Sequence, residues 1–485
     1  MNISNNLCFD SRKVEKDSIF FCIVGENTDG HQYIKQAIEK GASLIYAQED
    51  KKEKINKEIL ELKVPIIFVP CTKTALANAC KEKYKDIMSK ISIFAITGTN
   101  GKTTTTHLIA KLFSVAFKEN IGLMGTLGNK VYSKGVEKEF LGEGSGRTTP
   151  QAIELYENFK NLFEKGCKKI VIEVSSHALI QKRIHGCSFD TMMFTNLTQD
   201  HLDYHLNMEN YFEAKALIFD YTVNNAIINL DDSWAKAFIE KAKVKNLNIL
   251  TYSIKDPSAT IYAKNIKNST EGISADICFS NECINTNIKL HGIFNLYNIL
   301  GAIAVGLAKN ISLKDCIEIF KTVEATKGRF ELVDRPNKNL PSCIIDYAHT
   351  PDGLENVLKT AKEILPKGGE LICIFGCGGD RDSTKRPIMG KIASTLADKI
   401  IITSDNPRSE DPEQIIADIL SGISSLNNTE IIIDRAEAIN KTIKNAKKED
   451  LILIAGKGHE NYQIFKDQTI FFDDKEQVIK AYNSF

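Results

Sequence analysis

Ile93-Phe94-Ala95-Ile96-Thr97-Gly98-Thr99-Asn100-Gly101-Lys102-Thr103-Thr104 runs from an apolar segment through two glycines to Lys-Thr-Thr. A β-rich apolar run makes a strand, the glycines make a turn, and Thr103-Thr104 open a helix. Such a turn points backbone N–H groups at an anion, and the helix N-terminus adds the positive end of its dipole. Lys102 supplies a point charge for β/γ-phosphate, and the Thr103 hydroxyl can sit on Mg²⁺. The common pattern GxxxxGK[ST] asks for glycine at position 96, where this chain has Ile96, while Gly-Lys-Thr is kept. The stretch predicts an ATP or GTP site. It does not separate a motor, a switch, a kinase or a ligase.

Outward from it, the chain of 485 residues is too long for one core and fits about three domains. Residues 1–90 read as strands over 18–24, 44–46 and 66–69 with helices over 31–40 and 73–85. In residues 91–327, strands over 91–97, 170–174, 191–195 and 226–229 alternate with helices, which predicts a largely parallel sheet closed by a helix over 296–309. Residues 328–485 repeat the pattern with strands over 343–346, 371–376, 399–403, 430–434 and 451–455. The fold class expected is α/β in three domains: a central P-loop parallel-sheet ATPase domain and a C-terminal Rossmann-like one. Ligands then belong at the carboxyl ends of the strands.

Composition narrows the function. Hydrophobic residues are 43% and charged residues 26%, as in an ordinary soluble protein. Lys plus Arg equals Asp plus Glu at 62 each, which argues against a general nucleic-acid or membrane-surface binder. The first residues show no basic-then-apolar leader, and no apolar run reaches membrane-spanning length. A cytoplasmic protein is expected, with its 12 scattered cysteines as reduced, buried thiols.

Two segments add chemistry. In Ile172-Glu173-Val174-Ser175-Ser176-His177 an acid ends a strand, which suits a hard-oxygen ligand for Mg²⁺ or a helix cap. Asn196-Leu197-Thr198-Gln199-Asp200-His201-Leu202-Asp203-Tyr204-His205 packs two Asp and two His into ten positions. Zinc is set aside, because phosphate and Mg²⁺ are already implied and no cysteine accompanies them. Lys215, on an amphipathic helix over 211–219, reads by itself as a solvated or snorkelling side chain.

Together these pieces resemble the Mur ligase family. Glu213-Ala214-Lys215, His291 to Asn298, Gly328-Arg329-Phe330-Glu331, Asp346-Tyr347-Ala348-His349-Thr350-Pro351-Asp352 and Gly456-Lys457-Gly458-His459-Glu460 extend the resemblance over nearly the whole chain, from Asp10-Ser11-Arg12 onward. The resemblance implies an N-terminal UDP-binding domain (1–90), a central ATP-binding domain (91–327) and a C-terminal amino-acid-binding domain (328–485). It implies a carbamylated Lys215 which, with Thr103, Glu173 and His201, holds Mg²⁺; Lys102, Lys215 and His201 are the expected catalytic residues. Gly98, Thr99, Asn100, Gly101, Lys102, Thr103, Thr104, Asn295, Asn298, Arg329, Asp346 and His349 are expected at ATP. Ser11, Asn27, Thr148, Thr149, Ser175, Gln181 and Arg183 are expected at a UDP-muramoyl peptide.

Within the family, Ser404-Asp405-Asn406-Pro407-Arg408 resembles the signature of members that use meso-diaminopimelate. Diaminopimelate differs from lysine by a carboxylate at its far stereocentre, which Arg408 can grip with two parallel hydrogen bonds. Arg381, Asp405, Asn406, Pro407, Arg408, Gly456 and Glu460 are the residues expected there. The activity implied is ATP-dependent addition of meso-diaminopimelate to UDP-N-acetylmuramoyl-L-alanyl-D-glutamate through an acyl phosphate, a step of peptidoglycan precursor synthesis, by a monomer that binds no nucleic acid and does not insert into a membrane. L-lysine as the amino acid, a folylpolyglutamate-type ligase and a non-catalytic ATP-binding regulator are the other readings.

Overall fold

The computed structural model describes residues 6–25, 28–58, 64–139, 147–269 and 272–485, the side chains of 56–58 and 139 excepted. Three main sheets follow one another along the chain. The first is fully parallel, with Leu7–Cys8, Ile19–Phe21, Leu44–Gln48 and Ile66–Val69 adjacent in that order. The expected helix over 31–40 begins as a 3₁₀ turn, Gly30–Tyr33, capped by the Asp29 side chain, and continues as Ile34–Glu39.

The strand that opens the central sheet, Ser92–Thr97, shows why it is buried on both faces. Its period of two sends Ile93 and Ala95 into one core and Phe94 and Ile96 into the other. Parallel neighbours flank it: Ser188–Phe194 and then Thr222–Asn229 and Asn248–Ser253 on one side, Lys169–Glu173 and then Ile121–Gly125 on the other. Helices Lys102–Ala116 and Ile293–Ala308 cover one face. Ala152–Glu164 and Ala235–Val244 cover the other, and Leu76, Ala77 and Cys80 of the N-terminal region pack into that same core. The two regions therefore meet through apolar contact.

Two features depart from the expectation. Antiparallel strands extend both flanks of the sheet: Gly128–Ser133 with Val136–Glu139, and Ile261–Ser269 with Gly272–Phe279 and Glu282–Ile288. In the last pair Cys278 faces Cys283 across the ladder and the two form a disulfide. The expectation of twelve reduced thiols is corrected there, because hairpin register brings together cysteines that spacing alone left unpaired. The other ten are free, and all but Cys71 are buried.

The C-terminal sheet has the order Glu331–Leu332, Ser342–Asp346, Leu451–Ala455, Leu371–Phe375, Lys399–Ile402, Thr429–Ile431, parallel except for its first strand. Leu451, Leu453 and Ala455 face one core while Ile452 and Ile454 face the other. Among the described residues no helix is long and apolar enough to cross a membrane.

Candidate active site

The phosphate loop closes on itself through its glycines. Gly98 and Gly101 have φ of +145° and +83°. A Cβ would stand 1.9 Å from Thr195 Oγ1 at Gly98, and 2.4 Å from Asn298 Oδ1 at Gly101, so neither place admits a side chain. Lys102 Nζ donates to the carbonyls of Gly98 and Thr99 at 3.0 and 2.8 Å. Burial pushes its pKa down.

Strand ends and the junction with the C-terminal region bring several other expected residues to one cavity of about 420 Å³. Thr99 to Thr104, Thr148, Glu173, His201, Asn298, Arg329, Asp346 and His349 all line it. Glu173 ends its strand almost fully buried, and its carboxylate accepts from Thr103 Oγ1 (3.1 Å), Thr126 N (2.9 Å) and Thr126 Oγ1 (3.1 Å). Arg329 crosses from the C-terminal region: Nη2 donates to Thr103 Oγ1 at 3.2 Å, the guanidinium lies 4.3 Å from the Tyr347 ring centre, and Nε is buried without a partner among the described residues. Burial raises the Asp346 carboxyl to about 6 although it faces Arg329 and accepts from Phe330 N and Ala348 N. Burial lowers the His349 ring to about 4, with Nδ1 2.8 Å from the Tyr347 carbonyl.

Lys215 reverses the reading made of it alone. Helix Met208–Ala216 buries it behind the phosphate loop, where Nζ donates to the Gly98 carbonyl at 2.8 Å and lies 4.7 Å from the Tyr211 ring. Desolvation, with Lys102 nearby, drives its pKa well down. His201 adopts φ of +54° and Nε2 stands 3.3 Å from Asp200 Oδ2. Among the described residues no group of three His, Cys, Asp or Glu side chains is placed to hold a metal. Glu173 and the Thr103 hydroxyl offer oxygen donors of the kind a hard cation such as Mg²⁺ takes alongside phosphate and water, and His201 lines the same cavity.

Other expected residues form separate clusters. Thr149 Oγ1 donates to the Glu173 carbonyl (2.8 Å) and lies 3.4 Å from Ser175 Oγ. Arg183 donates to the Thr149 carbonyl (2.9 Å) and with two nitrogens to Gln181 Oε1, at 3.0 and 2.6 Å. Asn295 lies outside the cavity wall and joins Asn298 at 3.2 Å. Ser11 is buried in the first sheet's region, donating to Gln36 Oε1 at 2.6 Å. Asn27 lies outside the described residues.

The C-terminal cluster stands at the ends of Lys399–Ile402 and Leu451–Ala455. Asn406 Nδ2 donates to Glu460 Oε2 at 2.9 Å, and a Cβ on Gly456 would meet Asp405 Oδ2 at 2.7 Å. Arg408, φ +53°, donates through Nη1 to the Gly379 carbonyl at 2.7 Å, and Pro407 is buried beside Gly379. Arg381 is exposed and bonds the Asp380 carbonyl. A second cavity of about 780 Å³ contains Glu460 and shares Thr126, Thr148 and Tyr347 with the first, so the cluster and the phosphate loop open on adjoining space.

Sequence reasoning missed Thr126, Tyr347 and Asp352. Thr126 follows a strand with no motif around it. Tyr347 and Asp352 sit inside the quoted segment 346–352, but which side chains of a loop face inward is not written in the loop itself. Asp352 Oδ2 accepts from Asn100 Nδ2 at 2.9 Å and ties the C-terminal region to the phosphate loop.

Comparison with known proteins gives a consistent result. Three family profiles match: Mur ligase family, catalytic domain, over 4–84; Mur ligase middle domain over 96–306; and Mur ligase, glutamate ligase domain, over 328–458. The chain is 42% identical over 472 residues, covering 97% of it and 93% of the relative, to the UDP-N-acetylmuramoyl-L-alanyl-D-glutamate–2,6-diaminopimelate ligase of Clostridium botulinum. It is also 42% identical over 480 residues, with 97% and 92% covered, to the ligase of that name from Bacillus cereus. A solved structure of a ligase with that name superposes with a TM-score of 0.68 at 33% identity, over 99% of this chain and 94% of the other.

Proposed function

The chain belongs to the Mur ligase family, and from that premise we propose that it is the ATP-dependent ligase joining meso-2,6-diaminopimelate to the D-glutamate of UDP-N-acetylmuramoyl-L-alanyl-D-glutamate. The near-full-length identity to relatives so named carries this reading. The charge pattern of the C-terminal cluster supports it. Asp405 and Glu460 face one buried ammonium, Lys457, which leaves one negative charge over. Arg408 bonds only backbone carbonyls among the described residues. A pocket with one spare negative and one spare positive charge fits a distal carbon bearing both ammonium and carboxylate, as in diaminopimelate; lysine ends in an ammonium alone.

In this reading residues 1–90 hold the UDP end, 91–327 the ATP and 328–485 the amino acid, in a cytoplasmic monomer. Thr148, Thr149, Ser175, Gln181 and Arg183 bind the muramoyl peptide, with Ser11 and Asn27 toward the uridine. The D-glutamyl carboxylate attacks the γ-phosphorus, giving an acyl phosphate and ADP. Lys102 exchanges its loop carbonyls for phosphate, while Arg329, with its free Nε, faces the same charge. The acceptor amine then attacks the acyl carbon, and the tetrahedral intermediate collapses to amide and phosphate. Mg²⁺ supplies charge neutralisation among these anions, and Thr103, Glu173, His201 and a carbamylated Lys215 would hold it.

The test is phosphate release with ATP, Mg²⁺ and the UDP-muramoyl dipeptide, supplying meso-diaminopimelate or L-lysine in parallel. Turnover with diaminopimelate alone is expected. Turnover with lysine alone would overturn the role of Arg408 and leave the ligase chemistry standing; silence with both would overturn the ligase.

A further inference from the structure

Lys457 follows Gly456 at the end of Leu451–Ala455, and its side chain is fully buried. Its Nζ donates to Asn406 Oδ1 and Glu460 Oε2, each at 3.2 Å, and stands 3.7 Å from Asp405 Oδ1. Asn406 donates to the same Glu460 oxygen, and Ile464 N donates to Asn406 Oδ1 at 3.0 Å. One ammonium thus joins the loops 404–408 and 456–464 at their polar atoms. The next buried cation, Arg435, is already matched: Nε and Nη2 each donate to Asp474 at 2.8 Å, and Nη2 also to the Ala455 carbonyl.

We propose that Lys457 is a positioning residue for the acceptor amino acid: through Asp405, Asn406 and Glu460 it sets the paired carboxylates that receive the acceptor's distal ammonium. The inference rests on the ligase reading above. Asp405 is buried and Glu460 largely so; two such carboxylates around one site repel, and one takes up a proton unless a cation stands between them. Burial and Asp405 push the Glu460 carboxyl up, while Lys457 and Asn406 pull it down. The charged and titratable groups facing Glu460 are Asp405, Lys457, Arg408, Arg435, Tyr347 and Tyr462. Lys457 alone of these donates a hydrogen bond to it from a full positive charge. Without Lys457, Glu460 keeps its proton to higher pH and the pocket loses the negative charge that an ammonium needs.

The experiment is steady-state phosphate release by the full chain, varying each substrate in turn, for K457Q, K457R, E460Q and K457Q/E460Q. Losing one partner of a buried pair predicts that K457Q raises KM for meso-diaminopimelate about a hundredfold, with the KM values for ATP and the UDP-dipeptide within about twofold of wild type. The acid limb of that diaminopimelate KM should move to higher pH, and K457R, which keeps the charge, should regain about tenfold. In the E460Q background the added effect of K457Q should shrink, because the two residues share one interaction. Should K457Q not fold, K457R against E460Q carries the same comparison: a rise confined to the diaminopimelate KM supports the proposal. Equal losses in all three KM values, or an unchanged diaminopimelate KM, overturns it. A wild-type enzyme without diaminopimelate-dependent turnover would instead overturn the ligase reading.

Discussion

Lys215 Nζ donates to the carbonyl of Gly98 at 2.8 Å, so a buried amine braces the first glycine of the phosphate loop from behind. Burial and the neighbouring Lys102 hold that amine far below the ordinary lysine range. A neutral amine is the form that adds CO₂. Intact-mass and peptide spectra of protein kept in bicarbonate are expected to show one added CO₂ at Lys215. K215A is expected to lower phosphate release about a hundredfold or more, with partial recovery on adding a short carboxylic acid. Full activity in K215A would remove Lys215 from the machinery.

Arg408 sits at φ +53° with its guanidinium against the Gly379 carbonyl, and burial, then Arg381, lowers its pKa. Lysine in its place keeps a charge but loses the planar fork. Selectivity for meso-diaminopimelate over L-lysine is expected to fall about a hundredfold in R408K, with KM for ATP unchanged. Parallel kcat/KM measurements on the two amino acids decide it; an unchanged ratio places the discrimination elsewhere.

Asp346 carries a pH dependence of stated sign. Its carboxyl is raised by burial to about 6, so the folded chain binds this proton more tightly than the unfolded one. The stability it contributes is present below the unfolded pKa and is lost as pH rises through about 6. Activity runs the other way, since only the ionised carboxylate faces Arg329 as an anion. The rate at limiting ATP should drop below about pH 6, and D346N should abolish that limb while lowering the plateau about tenfold. A limb that persists in D346N would assign it to another group.

Glu173 accepts three hydrogen bonds at its strand end. E173Q keeps the shape and removes the charge, so the Mg²⁺ concentration for half-maximal phosphate release should rise about tenfold or more, and a chelator should silence wild type reversibly. An unchanged Mg²⁺ titration would exclude Glu173 from the metal site.

Much of the fold is legible locally. The short apolar runs in Ser92–Thr97 and Leu451–Ala455 announce strands, and both form where expected. Motif order from 98 to 104, 173 to 177 and 346 to 352 placed Thr99 to Thr104, Glu173, Asp346 and His349, all of which line the cavity, at strand ends. The failures are equally local in cause. Cys278 and Cys283 lie five apart, and hairpin pairing joined them where spacing gave no sign. Thr126 makes two hydrogen bonds to Glu173 from a segment with no motif.

The chain alone was enough for the core parallel strands and the phosphate loop with its Gly-Lys-Thr, because backbone periodicity and turn chemistry act over a few neighbours, while the family was read from a resemblance in the order of motifs. Packing in three dimensions was needed to bury Lys215 against Gly98, to bond Asn100 to Asp352, 252 residues away, and to stand Lys457 between Asp405 and Glu460. Those partners are chosen by how the sheets stack and how the three regions meet. The burial that this stacking imposes sets one lysine behind the phosphate loop, with its pKa driven down, and another between two carboxylates, although both read alike in the chain.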